Sequence, residues 1–121
     1  MLIPTAAAGT RRGLVVVCHN GSVVPRQSAQ SLMELGWGNR VETAKVAHGF
    51  AALDFVWVTD YPRVDTLRDA GAQMAITGEY THLIYLDADM IWPSDVLTRL
   101  LAHHAAGVVG SFYVLKSPPY A

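Results

Sequence analysis

The chain has 121 residues, of which 51% are hydrophobic and 16% charged, and its formal net charge is −1 at pH 7. This length and composition suit one globular domain and exclude a disordered or low-complexity chain. Nine Lys and Arg against ten Asp and Glu lack the basic excess of a nucleic-acid-binding protein, so we expect no nucleic-acid partner.

The first half of the chain alternates between strand and helix patterns. Residues 1–12 are rich in Ala, Gly and Thr, which predicts a flexible lead-in. The β-branched run 14–18 predicts a strand buried on both faces, and 55–59 predicts a second one. A helix is predicted over 25–35, while 41–53 is ambiguous between strand and irregular structure. The apolar face of that helix carries Ala29, Leu32 and Met33.

The second half continues the alternation. A helix is predicted over 66–76 and a third buried strand over 82–86. Pro93 opens a further helix whose buried stripe extends to His104, and 108–114 predicts a last strand. The apolar stripe of the helix over 66–76 consists of Leu67, Ala70, Gly71 and Met74.

This order of elements predicts an α/β fold with a mostly parallel, doubly wound sheet and flanking helices. We expect residues 13–121 to form a single domain. The apolar runs 13–18 and 83–86 are much shorter than the roughly 20 residues of a transmembrane helix, so no transmembrane segment is predicted. Cys18 is the sole cysteine, and the first fifteen residues lack a signal-peptide pattern. Both features favour a reducing, cytoplasmic setting.

Polar residues lie at the predicted strand ends, where open α/β sheets bind ligands. In an extended backbone, residues two apart point to the same side, so Asp87 and Asp89 are expected to converge on one cation while Ala88 faces away. Carboxylate oxygens suit Mg²⁺ or Mn²⁺, which bridge to substrate phosphates. The pattern predicts a metal–phosphate site, and the alternative is a solvated acidic turn. The polar residues at strand ends are His19, Asn20, Asp60, Asp87 and Asp89.

Four further residues allow a functional and a structural interpretation. Asp60 either binds a base or ribose or initiates the turn that follows its strand. Trp92 either stacks on a sugar or nucleobase or packs against the next helix. His104 is expected in the core or at a helix end rather than on a metal. Cys18 lies in a buried strand without an evident base, which favours an inert thiol.

A family resemblance appears at this point. The segment 81–93, followed by Leu97 and 100–101, resembles the Asp-x-Asp segment of GT-A glycosyltransferases, most of all the bacterial and phage family-2-like group. The segment 108–113 with 118–119 resembles the next strand and proline-rich exit of that group. Similarity extends from Leu14 to the end and is strong from Thr81 onward.

The resemblance implies a site for a nucleotide-diphosphate sugar, UDP- or GDP-linked, and transfer of its sugar to an unknown acceptor. Asp87 and Asp89 match the carboxylates that hold Mn²⁺ or Mg²⁺ on the donor diphosphate in this family. His19 and Asn20 match the loop that contacts the nucleoside. Relatives often carry an Arg-Asn pair before this strand, where the present chain has Arg68 followed by Asp69, so Arg68 is expected to pair with a phosphate.

Two other functions stay open. A non-catalytic nucleotide-sugar-binding or interaction half-domain is the main alternative, because family members continue well beyond 118–120, and that portion supplies acceptor contacts and the catalytic base. This chain would then be a fragment, a short form, or a subunit completed by a partner chain or a second copy. A haloacid-dehalogenase-type phosphatase also places Asp-x-Asp after an apolar strand, but it needs a later Lys and more acids than Lys116 and Asp95 supply.

Overall fold

A parallel sheet forms the centre of the described part of the chain. The computed structural model describes residues 10–19, 24–37, 40–59 and 63–105. The strands order as β2-β1-β3, and both neighbouring pairs run parallel. The elements in chain order are β1 (Arg11–Cys18), α1 (Arg26–Trp37), α2 (Arg40–Ala47), β2 (Phe50–Val58), α3 (Val64–Thr77), β3 (His82–Asp87) and α4 (Val96–Leu101).

Helices cover both faces of this sheet. On one face, Val15 and Val17 of β1 pack into a core with α1, α2 and α4. On the other face, Leu14 and Val16 pack into a second core with α3. The central strand is therefore buried on both sides, as its continuous apolar run predicts. The predicted α/β fold with a doubly wound parallel sheet is confirmed.

The boundaries of the strands differ from the predictions at their amino-terminal ends. β1 begins at Arg11, inside the expected lead-in, and Arg11 pairs with Phe50. β2 begins at Phe50 rather than at residue 55, and in its first half Phe50 and Leu53 are buried while Asp54 is exposed. The predicted strand 108–114 lies outside the described residues.

Two helices differ more from the sequence pattern. The ambiguous segment 41–53 begins with the short helix α2, in which only Ala44 is buried, so its apolar periodicity is weak. The last helix, α4, ends at Leu101, and His104 lies in the tighter turn that follows it. Met33 and Met74, predicted on the apolar faces of α1 and α3, are exposed instead.

Gly71 brings α3 close to the sheet. A Cβ atom on Gly71 would lie 3.1 Å from Cε1 of Tyr85 and 3.1 Å from Cγ1 of Val16. These distances are shorter than ordinary carbon contacts, so a larger residue would push the helix outward. The glycine therefore determines how far Arg68, one turn earlier on α3, lies from the end of β3.

Candidate functional site

The ends of β1 and β3 form the point at which the chain order in the sheet reverses. From β1 the chain passes to β2 on one side and then crosses back to β3 on the other side. Cys18, the last residue of β1, pairs with Asp87, the last residue of β3. In doubly wound sheets the crevice at such a reversal, beyond the carboxyl ends of the strands, is the usual ligand site. We call this side of the sheet the carboxyl-terminal edge.

A partly exposed ion pair lies at this edge. Nη2 of Arg68 is 3.7 Å from Oδ1 of Asp87, and the two side chains are 51% and 35% exposed. A pair this open to solvent contributes only about 0–1 kcal/mol to folding. The ion pair can therefore break on ligand binding at little cost in free energy. The carboxylate is then available to a cation and the guanidinium to a phosphate.

Tyr85 of β3 contacts Arg68 of α3 through its hydroxyl and its ring. Its hydroxyl donates a hydrogen bond of 2.5 Å to the backbone oxygen of Arg68. The guanidinium carbon of Arg68 lies 5.9 Å from the centre of the Tyr85 ring. This contact ties α3 to the strand that ends in Asp87. Side chains two residues apart on a strand point to the same face, so the sequence already places Tyr85 on the same face of β3 as Asp87.

The thiol of Cys18 lies beneath the ion pair and is buried. Loss of hydration raises the pKa of Cys18, the negative charge of Asp87 raises it further, and Arg68 opposes both effects. The thiol therefore stays protonated at neutral pH, whereas nucleophilic attack needs a thiolate. This environment agrees with the inert thiol expected from the sequence.

The backbone after Asp87 departs from the expected extended form. β3 ends at Asp87, and Ala88 and Asp89 form a turn in which Ala88 is buried and Asp89 exposed. The amide of Ala88 donates to the oxygen of Cys18 at 3.0 Å. Asp89 therefore does not project from an extended strand beside Asp87, contrary to the prediction, although Ala88 does face the core as expected.

Trp92 closes the inner side of this turn. Its Nε1 donates to the backbone oxygen of Asp87 at 3.0 Å, and its backbone amide donates to Oγ of Ser31 at 3.1 Å. The ring packs against the core formed with α1 and α4. Of the two interpretations of Trp92, the contacts support packing, and they fix the turn that carries Asp89.

An aromatic pair extends the edge toward β2. The rings of His19 and Trp57 lie 6.0 Å apart between centroids, at an interplanar angle of 88°. The backbone amide of His19 donates to the oxygen of Val58 at 3.0 Å, and Trp57 is 41% exposed. Trp57 is not among the site residues predicted from the sequence. Its signal is a tryptophan next to the last residue of the strand, close to the edge where ligands bind.

The structure thus brings His19, Arg68 and Asp87 to one edge, with Asp89 in the turn beyond it. Asn20 and Asp60, the other two predicted site residues, lie outside the described residues. Among residues that the structure describes, no three His, Cys, Asp or Glu side chains are grouped to hold a metal ion. A site with one or two carboxylates still fits Mg²⁺, which takes its other ligands from water and substrate phosphates.

None of the helices in the described ranges has the length and apolar character needed to cross a bilayer. Comparison with protein-family models, with curated proteins and with solved structures finds no match to this chain. The fold and the residues at the carboxyl-terminal edge are therefore the grounds for a functional proposal, together with the resemblance noted in the sequence.

Proposed function

We propose that the chain is a glycosyltransferase that binds a nucleotide-diphosphate sugar and a divalent cation, Mn²⁺ or Mg²⁺, at the carboxyl-terminal edge. One observation carries this proposal: the partly exposed pair of Asp87 and Arg68 at the reversal between β1 and β3. The likeness of segment 81–93 to the Asp-x-Asp segment of GT-A enzymes supports it.

Each charged group has a role in this proposal. Asp87 and Asp89 supply carboxylate oxygens to the cation, which neutralises charge on the diphosphate. Arg68 moves from Asp87 to a phosphate oxygen, where its planar donors suit bidentate pairing. Arg68 would then stabilise the nucleoside diphosphate as a leaving group when the sugar is transferred, and a cation held by Asp87 and Asp89 would supply further positive charge there.

Calorimetric titration of UDP and GDP, with and without Mn²⁺, tests the donor site. We expect the wild type to bind at least one of the two nucleotides only when Mn²⁺ is present. Asp87→Asn and Asp89→Asn should each weaken that binding by about tenfold or more, since each removes a charged metal ligand. Asp95→Asn is the matched control, because Asp95 is exposed and paired with Arg99. Its affinity should equal that of the wild type.

Wild-type protein that binds neither nucleotide in a metal-dependent manner would overturn the donor site. Incubation with radiolabelled UDP- and GDP-sugars then separates catalysis from binding. Release or transfer of the labelled sugar, lost in Asp89→Asn, supports the transferase. Metal-dependent binding without turnover supports the alternative, a nucleotide-sugar-binding module that needs a partner chain. Oligomeric state, measured by light scattering in the same buffer, shows whether a second copy is that partner.

A further inference from the structure

Three histidines that are far apart in the sequence meet at the opposite side of the sheet, where the strands begin. We call it the amino-terminal edge. His48 precedes β2, His82 opens β3, and His104 lies in the turn after α4. The ring centroid of His104 is 6.5 Å from that of His48 and 6.3 Å from that of His82. The proposed donor site at the carboxyl-terminal edge uses none of these three side chains.

Two of the imidazoles bind backbone oxygens at the end of α4. Nε2 of His48 is 2.9 Å from the oxygen of Thr98, and Nε2 of His82 is 2.8 Å from the oxygen of His104. Because a carbonyl oxygen only accepts, both Nε2 atoms must carry the hydrogen. These bonds hold the last turn of α4 and the turn that follows it against the starts of β2 and β3.

The other nitrogen of His82 belongs to a short network. Nδ1 lies 2.8 Å from Oγ1 of Thr81, which also accepts from the amide of Arg12 and lies 3.1 Å from its oxygen. A second proton on His82 is compatible with all these contacts, since Nδ1 then donates to Thr81 and the hydroxyl donates to Arg12. Charged His82 can therefore stay in place beside His104.

For His104, no hydrogen-bond acceptor for a second proton lies among the described residues. Its Nδ1 is buried and lacks a hydrogen-bond partner among the described residues. The charged and titratable groups that act on it are Arg11, His82 and His48, and each opposes a positive charge there. From β2 it meets the uncharged ring of Phe50. On its own segment, Arg99 is paired with Asp95 and His103 is exposed.

We propose that His48, His82 and His104 form an acid-sensitive latch that holds the end of α4 against the amino-terminal edge and releases it on protonation of His104. In the released turn, His104 gains water and distance from the other positive groups. Acid therefore favours release, because Nδ1 of the charged imidazole can donate to water only there.

The direction of the pH dependence follows from the buried Nδ1 of His104 and from the groups of positive charge near its ring. Loss of hydration is the largest effect that lowers the pKa of His104 below its ordinary value of 6.5, and Arg11, His82 and His48 lower it further. When the closed turn lowers the pKa of a group, the closed turn has its full stability above the ordinary pKa of that group. It loses stability as the pH falls below that value. The latch is therefore strongest above about pH 6.5 and weakens as the pH falls below it, by at most about tenfold per pH unit for one proton.

Hydrogen exchange on the whole chain between pH 7.5 and pH 5 tests the latch at the amides of Ala102, His103 and His104. These amides donate to oxygens of the preceding turn at 3.1 Å. After correction for the intrinsic exchange rate, the opening constant of the turn should rise by about threefold to tenfold per pH unit below the ordinary histidine pKa. The imidazole resonances of His104 in the same sample should titrate below the ordinary histidine value of 6.5.

Two variants isolate the group that titrates. His104→Phe keeps an aromatic ring but cannot take a proton, so the opening constant of the turn should not depend on pH. His103→Phe is the matched control and should keep the wild-type slope. A titration midpoint of His104 at or above the ordinary value of 6.5, a wild-type opening constant that is independent of pH, or a slope that persists in His104→Phe would each overturn the proposal. The wild-type titration decides the matter even if His104→Phe does not fold.

Discussion

The two edges of the sheet are built from different chemistry. At the carboxyl-terminal edge, Asp87 and Arg68 face solvent and are held by one long ion pair. At the amino-terminal edge, His48 and His82 donate to backbone oxygens of a packed turn. The first arrangement leaves charges available to a ligand, whereas the second uses polar groups to close the fold. The same three parallel strands therefore end in partly exposed charges on one side of the sheet and begin beside hydrogen-bonded imidazoles on the other.

The segment from Asp87 to His104 joins these two edges, and the largest effect is expected where it enters the core. Leu97 of α4 is almost fully buried among residues of α1, α2 and the sheet. Leu97→Ala should lower the free energy of unfolding by about 2–5 kcal/mol, through lost burial and the cavity left behind. Urea denaturation followed by circular dichroism measures the change.

Ile91→Ala is the control for this loss, because Ile91 is an exposed residue in the same connecting segment. Its free energy of unfolding should change by no more than about 0.5 kcal/mol. Leu97→Ala should also increase hydrogen exchange near both edges. An increase near one edge alone would show that α4 does not couple them.

A smaller effect, confined to the carboxyl-terminal edge, is expected at Ser31. Its buried hydroxyl donates to the oxygen of Ser28 and accepts from the amide of Trp92. Ser31→Ala leaves that amide without its acceptor and should cost about 1–3 kcal/mol in the free energy of unfolding. Thermal unfolding of Ser31→Ala beside Ser94→Ala, where Ser94 is an exposed serine between β3 and α4, measures the difference. Equal stability of the two variants would contradict the role given to Ser31.

The smallest effect is a gain of stability, expected where α3 ends near the amino-terminal edge. Glu79 has a φ of 57°, which favours glycine. The amide of Tyr80 closes the helix end by donating to the oxygen of Ala75 at 3.0 Å. Glu79→Gly should raise the free energy of unfolding by about 0.5–1 kcal/mol, since the left-handed backbone then carries no Cβ penalty.

Glu34→Gly serves as the opposite control for that gain. Glu34 lies inside α1, where glycine should lower stability by about 1 kcal/mol. Chemical denaturation of both variants under identical conditions gives the two signs directly. A loss of stability in Glu79→Gly would show that the carboxylate of Glu79 contributes more than its backbone strain removes.

The sequence predicted the parts of the fold that rest on continuous or periodic burial. The runs of β1 and β3 and the stripe of α3 are of this kind, and each forms the expected element. Helix α2 was missed, because its single buried residue, Ala44, leaves no periodic pattern. The spacing of apolar residues places Met33 and Met74 on apolar helix faces. In the structure, neighbouring positions of the same helices fill the core, and both methionines are exposed.

The candidate site was predictable only where it follows a strand end. Asp87 could be placed from the end of its apolar strand, and Arg68 only through the family resemblance. The pairing of His19 with Trp57 depends on the parallel register of β1 with β2, which a single sequence does not reveal. The histidine latch was missed for the same reason, since its members come from three separate parts of the chain and meet only through the fold.

The central position of β1 has a consequence for how the chain folds. Both hydrogen-bonding edges of β1 are filled by strands made later, first Phe50–Val58 and then His82–Asp87. At roughly 5–20 residues per second, several seconds of synthesis separate the first strand from its last partner. During that interval the apolar run Leu14–Cys18 has exposed edges that other chains can pair with. Yield from slow expression at low temperature should therefore exceed yield from rapid overproduction, because fewer unpaired first strands coexist.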